Sequence, residues 1–174
     1  MNLRSILAAL FLLAALPAMA GSNWKSTGKH SIRFTSNDAS GIFKTFNGTL
    51  IFDEGNLGAS KFTVTVDVAS INTGNGLQNK HAKSAEWFDA ATYPQIRFTS
   101  EKIVKAGNGY QATGTLELHG VKKQIVIPFT FQHKGNAGTF AGSFSVNRND
   151  YHIGKAGDKV SEVIRIDISV PVVQ

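Results

Sequence analysis

Eight stretches of this chain alternate apolar and polar residues with a period of two, a rhythm that belongs to strands with one buried face. The clearest sets Phe62, Val64, Val66 and Val68 against Lys61, Thr63, Thr65 and Asp67. The last sets Ile164, Ile166, Ile168 and Val170 against Arg165, Asp167 and Ser169. Between them lie Ile96 with Phe98; Tyr110, Ala112, Gly114, Leu116 and Leu118; Ile125, Ile127, Phe129 and Phe131; and Phe140, Gly142, Phe144 and Val146. Strands are predicted at 30–36, 42–53, 61–71, 95–105, 109–119, 123–132, 138–148 and 160–172. An apolar face in which phenylalanine is interrupted by glycine or alanine does not pack flat on a second sheet. The expected fold is all-β, an eight-stranded antiparallel barrel with room inside.

The first twenty residues stand outside this pattern. Arg4 precedes an apolar run from Ile6 to Leu16 that ends in Pro17 and Ala18-Met19-Ala20, the layout of a secretory signal peptide cleaved after Ala20. The run falls short of the roughly 20 apolar residues a spanning helix needs. Residues 1–20 are thus expected to be a signal peptide and 21–174 one exported barrel domain, long enough to bury a core without staples. The chain has no cysteine, so export does not rest on disulfides, and a bacterial periplasm is the expected compartment. The formal charge is +6, but the lysines form no dense run, which excludes nucleic acid as the expected partner. A mild attraction to anionic membrane surfaces fits better. A closed barrel leaves no edge for a partner and an open one would support a homodimer, so monomer and dimer both stay open.

Two connections carry tight-turn residues, Ala106-Gly107-Asn108-Gly109 and Lys134-Gly135-Asn136-Ala137-Gly138, and predict hairpins between sequential strands. The alternation stops only after the third strand. There Leu77 to Phe88 predicts one or two helical turns lying over one barrel end, with Trp87 and Phe88 as its apolar side and Tyr93-Pro94 closing it. A fixed plug and a mobile lid both fit.

Most chemical motifs fail on spacing. His30, His81, His119, His133 and His152 form no close ligand pair, so no metal site is expected. The chain lacks the G-x-S-x-G elbow of a serine hydrolase. Gly107-Asn108-Gly109-Tyr110-Gln111-Ala112 fits a dinucleotide-binding pattern, but it lies in a hairpin and no helix follows to hold a pyrophosphate. No catalytic residues and no cofactor are expected. What remains is the cavity. Gly114 and Gly142 share parity with Leu116 and Phe144, and as inward residues they would remove side-chain volume from the barrel, or else relieve strand coiling.

The residues also resemble a known family. His30-Ser31-Ile32-x-Phe34, Ser70-Ile71-x-Thr73-Gly74-Asn75, His81, Trp87-Phe88-Asp89 with Tyr93-Pro94-x-Ile96-x-Phe98, Gly114-x-Leu116-x-Leu118-His119-Gly120-Val121, and Asn147-Arg148-x-Asp150-Tyr151-x-Ile153-Gly154 look like the successive motifs of the YceI-like proteins. His152 stands where that family often has glycine. The resemblance implies a lipocalin-like barrel in the periplasm with a long hydrophobic pocket for polyisoprenoids, isoprenoid quinones or fatty amides, used in transport, storage or stress protection. On this reading Phe34, Ile96, Phe98, Leu116, Phe129, Phe131 and Phe144 form the wall of a lipid site, and Gly114 and Gly142 make its space. His30, His81 and Arg148 are the expected polar groups at the mouth, since an amphiphile keeps its head wet or hydrogen-bonded. For Arg148 a clamp onto Asp150 or Glu162 is the structural alternative. The competing functional reading is an envelope interaction module with a filled barrel and a basic exterior for an acidic partner or membrane.

Overall fold

The computed structural model describes residues 21–174; the signal peptide expected at 1–20 lies outside the described residues. Eleven strand segments run in chain order: β1 (Asn23–Ser26), β2 (Ser31–Thr35), β3 (Ser40–Phe43), β4 (Asn47–Ile51), β5 (Lys61–Asp67), β6 (Ile71–Asn72), β7 (Gln95–Ala106), β8 (Gly109–Leu118), β9 (Val121–Lys134), β10 (Ala137–Asn147) and β11 (Val163–Val173). One helix, α1 (Gly76–Ala82), follows β6. All pairings are antiparallel, and β1 closes the ring by bonding to both β4 and β11. The segments pair off as β1 with β2, β3 with β4 and β5 with β6, each pair being one barrel strand with a break, so the barrel has the predicted eight.

The breaks have local causes. The first strand begins at Asn23 rather than at 30, and its halves are separated around Gly28, whose φ of +78 no strand residue adopts. The second bends at Lys44–Phe46. There the N–H groups of Lys44 and Thr45 donate to Ser70 Oγ at 3.1 and 3.2 Å, and Asp67 N–H donates to Thr45 Oγ1 at 2.9 Å. Side-chain hydroxyls thus replace the ladder where it kinks, as buried backbone groups require. In β7 a bulge at Glu101 shifts the register, and the buried Ser100 hydroxyl accepts the Phe62 N–H at 2.8 Å.

Both predicted hairpins form, with Gly107 and Gly135 at positive φ in the first turn position. The third, His119-Gly120 between β8 and β9, has both residues at positive φ, which matches the strand twist.

The core is divided along the barrel axis. At the end reached by β1 and the β7–β8 and β9–β10 hairpins, Phe52 is 1% exposed and its ring centroid lies 5.0–6.1 Å from those of Phe62, Tyr110, Phe129, Phe131 and Phe140. Trp24 packs edge-on against Phe131 and donates its indole N–H to Phe52 O at 3.1 Å. These rings meet across the axis and seal that end. Each such buried ring contributes roughly 1.5–3 kcal/mol, and each edge-to-face pair adds about 0.5–1.5 kcal/mol.

Candidate ligand cavity

At the other end the inward positions of β5, β7, β9, β10 and β11 are mostly β-branched: Val64, Val66, Ile96, Ile127, Val146, Ile164, Ile166 and Ile168. Such side chains stand short of the axis where phenylalanine would reach it. The result is a cavity of about 770 Å³, within the range of pockets that hold a small molecule or chain.

Of the seven predicted wall residues, Phe34, Ile96, Phe98, Leu116 and Phe144 line this cavity. Phe129 borders only a small void of about 80 Å³ beneath it, and Phe131 stacks on Phe140 at 4.4 Å in the sealed end. Both face inward, but too low on the axis to reach the main space. The two glycines also serve a different purpose from the one expected. A Cβ on Gly114 would lie 2.2 Å from Thr99 O, and one on Gly142 would lie 2.7 Å from Pro128 O. The missing side chains make room for neighbouring backbone, and Gly142 also borders the small void beneath the cavity.

Segment 72–93 forms one side of the mouth. Asn75 caps α1 by accepting from Leu77 and Gln78 N–H at 2.9 and 3.1 Å. Asn79 accepts from the N–H and hydroxyl of Thr73 at 2.8 and 2.9 Å. Thus pinned, α1 holds Leu77, 78% exposed, together with Lys80 and His81 at the rim. The His81 ring lies 5.6 Å from Trp87.

Arg148 faces it from a 3₁₀ turn, Arg148–Tyr151, after β10. It is 3% exposed, and its guanidinium lies 5.3 Å over the Trp87 ring. Nε donates to Ser161 O at 3.2 Å, Nη1 to Asn149 Oδ1 and Ile153 O at 3.0 and 2.8 Å, and Nη2 to Lys155 O and Val160 O at 3.0 and 2.9 Å. All five N–H groups are occupied, four by carbonyls of the loop they organise. Arg148 lines the mouth and clamps it, but through carbonyls: Asp150 pairs with Lys123 instead, at 3.1 Å. Gly154, at φ +65, fits between Arg148, Asp158 and Trp87, where a Cβ would come within 3.3 Å of all three. His30 is not at the mouth. Its Nε2–H donates to Lys44 O at 3.0 Å and its ring packs 5.6 Å from Phe46, beside the strand break.

Sequence reasoning left out the aliphatic wall of β11 and the rim residues Leu77 and Lys80; the parity of Ile164, Ile166 and Ile168 carries the signal for the first. Among the described residues no group of three or more His, Asp or Glu is placed to hold a metal, and no helix is long and apolar enough to cross a membrane.

The YceI-like domain family matches residues 18–172. Protein YceI of Salmonella arizonae is 34% identical over 141 residues, covering 77% of this chain and 73% of that protein. Among solved structures, Burkholderia cenocepacia BcnA superimposes with a TM-score of 0.79 at 29% identity, over 82% of this chain and 96% of its own. The Campylobacter jejuni YceI protein gives 0.71 at 27%, over 80% and 86%. A polyisoprenoid binding domain from Saccharophagus degradans shares the fold at 0.68 and 18%, over 87% and 97%. In sequence and in barrel topology, this chain belongs to the YceI-like family.

Proposed function

We propose that this protein is a periplasmic carrier or store that holds a long apolar amphiphile, a polyisoprenoid, isoprenoid quinone or fatty-acyl amide, with its tail in the cavity and its head at the rim. The observation that carries this reading is the apolar space of about 770 Å³ under a rim bearing Lys80, His81 and Arg148. A tail buried there gains about 25 cal/mol per Å² of apolar surface removed from water, and the aliphatic wall selects for shape only loosely. The binding named for the Saccharophagus domain is of the same class. On this reading Arg148 shapes the rim rather than gripping the head, since all five of its N–H groups are already bonded within the protein. A filled barrel acting only through its exterior is disfavoured by the open volume.

Organic extraction of protein purified from its native envelope, followed by mass spectrometry, is the test. A stoichiometric lipid with a long unsaturated or saturated tail is the expected result. Repeated absence of any lipid, combined with no uptake of an added prenyl quinone, refutes the proposal.

A further inference from the structure

The barrel wall has an unbonded seam. From the hairpin at Gly135-Asn136, β9 and β10 pair from Lys134 with Ala137 as far as Phe129 with Gly142, and there the ladder stops. In an antiparallel pair alternate positions exchange both backbone bonds, and from this hairpin they are Lys134, Gln132 and Thr130 on β9. The next in the series is Pro128, opposite Ser143. Proline has no N–H to give, and the Pro128 carbonyl is the atom that a Cβ on Gly142 would strike at 2.7 Å. The strands therefore part at this pair.

They are clasped again only above the gap, and there by side chains: His119 Nδ1 lies 3.0 Å from Tyr151 O, and Lys123 Nζ 3.1 Å from Asp150 Oδ1. Between these clasps, 124–128 and 143–147 are bonded on their outer flanks, to β8 and β11, and not to each other. Directly behind the gap lie Ile127, Phe144 and Val146, all lining the cavity and all only half-buried. Val126, 47% exposed, flanks it outside.

We infer that this seam is a lateral door through which the alkyl chain of the ligand passes into and out of the cavity, with Pro128 as the residue that keeps it unzipped. The inference rests on the lipid-binding reading above. Here a tail parts two strands that share no ladder bonds and meets Ile127, Phe144 and Val146 behind them. The other long break among the described strands, 25–31 against 44–49, is crossed by His30, whose Nε2–H donates to Lys44 O at 3.0 Å. Local opening is drawn from such weakly bonded segments. The axial mouth is framed by Arg148 and the capped α1, and the seam is a second route through the side of the wall.

The test uses the absence of cysteine from the chain. Continuing the register places Val126 opposite Ser145, so a Val126→Cys, Ser145→Cys double variant can be locked by oxidation and released by dithiothreitol. Stopped-flow fluorescence with cis-parinaric acid follows uptake and release. Locking is expected to slow both rates by about tenfold or more while the equilibrium affinity stays within about twofold, as for a gate, with full recovery on reduction. A second arm, Pro128→Thr, restores the missing donor and is expected to slow exchange in the same direction and to protect the amides of 128 and 143 against hydrogen exchange. Unchanged rates in the locked protein, or in a Pro128→Thr variant that has gained amide protection, overturn the door. No gain of protection overturns Pro128 as its cause. Failure of the unmodified protein to take up the probe refutes the lipid-binding reading itself, an outcome distinct from both.

Discussion

Tyr110 on β8 donates its hydroxyl to Oε1 of Glu54, 2.5 Å away in the loop after β4, and the other carboxylate oxygen of Glu54 meets His133 Nε2 at 3.1 Å. One carboxylate thus ties three parts of the sealed end together. The Tyr110 ring is stacked on Phe129 while its oxygen reaches this surface group. The hydrogen bond to Glu54, then burial, then the negative charge of Glu54 push the phenol from its usual 10.0 up to about 12.

A spectrophotometric titration should therefore show a tyrosine that ionises near pH 12 and vanishes in Tyr110→Phe. Because the folded pKa lies above the unfolded one, the linked stability is fully present below pH 10 and is lost as pH rises from there toward 12. Denaturant midpoints should fall across that window in the natural protein and fall less in the variant. Ionisation of Tyr110 near 10 would contradict the linkage.

Replacing Arg148 by lysine keeps the charge but cannot span four carbonyls and an amide oxygen. Hydrogen bonds to charged groups are worth about 1.5–3 kcal/mol each and do not add, so a loss of on the order of 3 kcal/mol is expected in urea unfolding. A change below about 0.5 kcal/mol, the usual surface value, would show that the loop is held by something else.

Gly114→Ala places a methyl 2.2 Å from Thr99 O, where no side chain can move aside. Overpacking of this kind costs about 1–3 kcal/mol, occasionally more, and the upper end is expected here, since the obstacle is backbone. Thermal unfolding checks it. If the glycine merely created space for a guest, alanine would be tolerated and ligand uptake would fall instead.

Ile166→Trp fills space in the cavity without touching the ring cluster below. The expected result is a folded protein whose affinity for a prenyl quinone drops by about tenfold or more, equivalent to about 1.4 kcal/mol. Unaltered affinity by fluorescence titration would place the guest elsewhere.

His152 holds φ +56 in the left-handed region after the 3₁₀ turn. A non-glycine residue there costs about 1–2 kcal/mol, and glycine returns part of that through a more flexible unfolded chain. His152→Gly should thus raise stability by about 0.5 kcal/mol, read as a small upward shift in Tm. A downward shift would mean that the imidazole makes a contact worth more than the strain.

The strands were legible because alternation reports which side of a sheet a residue faces. It says nothing of height along the barrel. That is why Phe34, Phe98 and Phe144 were placed in the cavity correctly from parity while Phe129 and Phe131, with the same parity, sit in the ring cluster. His30 was misplaced for a related reason: the strand continues past the break at Gly28 into β1, which the predicted start at 30 left out, so His30 lies within the wall and not at the strand's end. Gly114 and Gly142 read as inward and empty, but the approach of Thr99 and Pro128 backbone is a fact about neighbouring strands that no single strand displays. Pro128 carried a signal that the assignment of a plain strand over 123–132 did not use, since a proline within a strand marks an unpaired edge or a bulge.

The knot of rings around Phe52 stands apart from the space above it. Packing is concentrated at one end of the barrel and open volume at the other, so the fold draws its cohesion from residues that the cavity wall does not share. A change in that wall can alter the space without loosening the rings that hold the strands together.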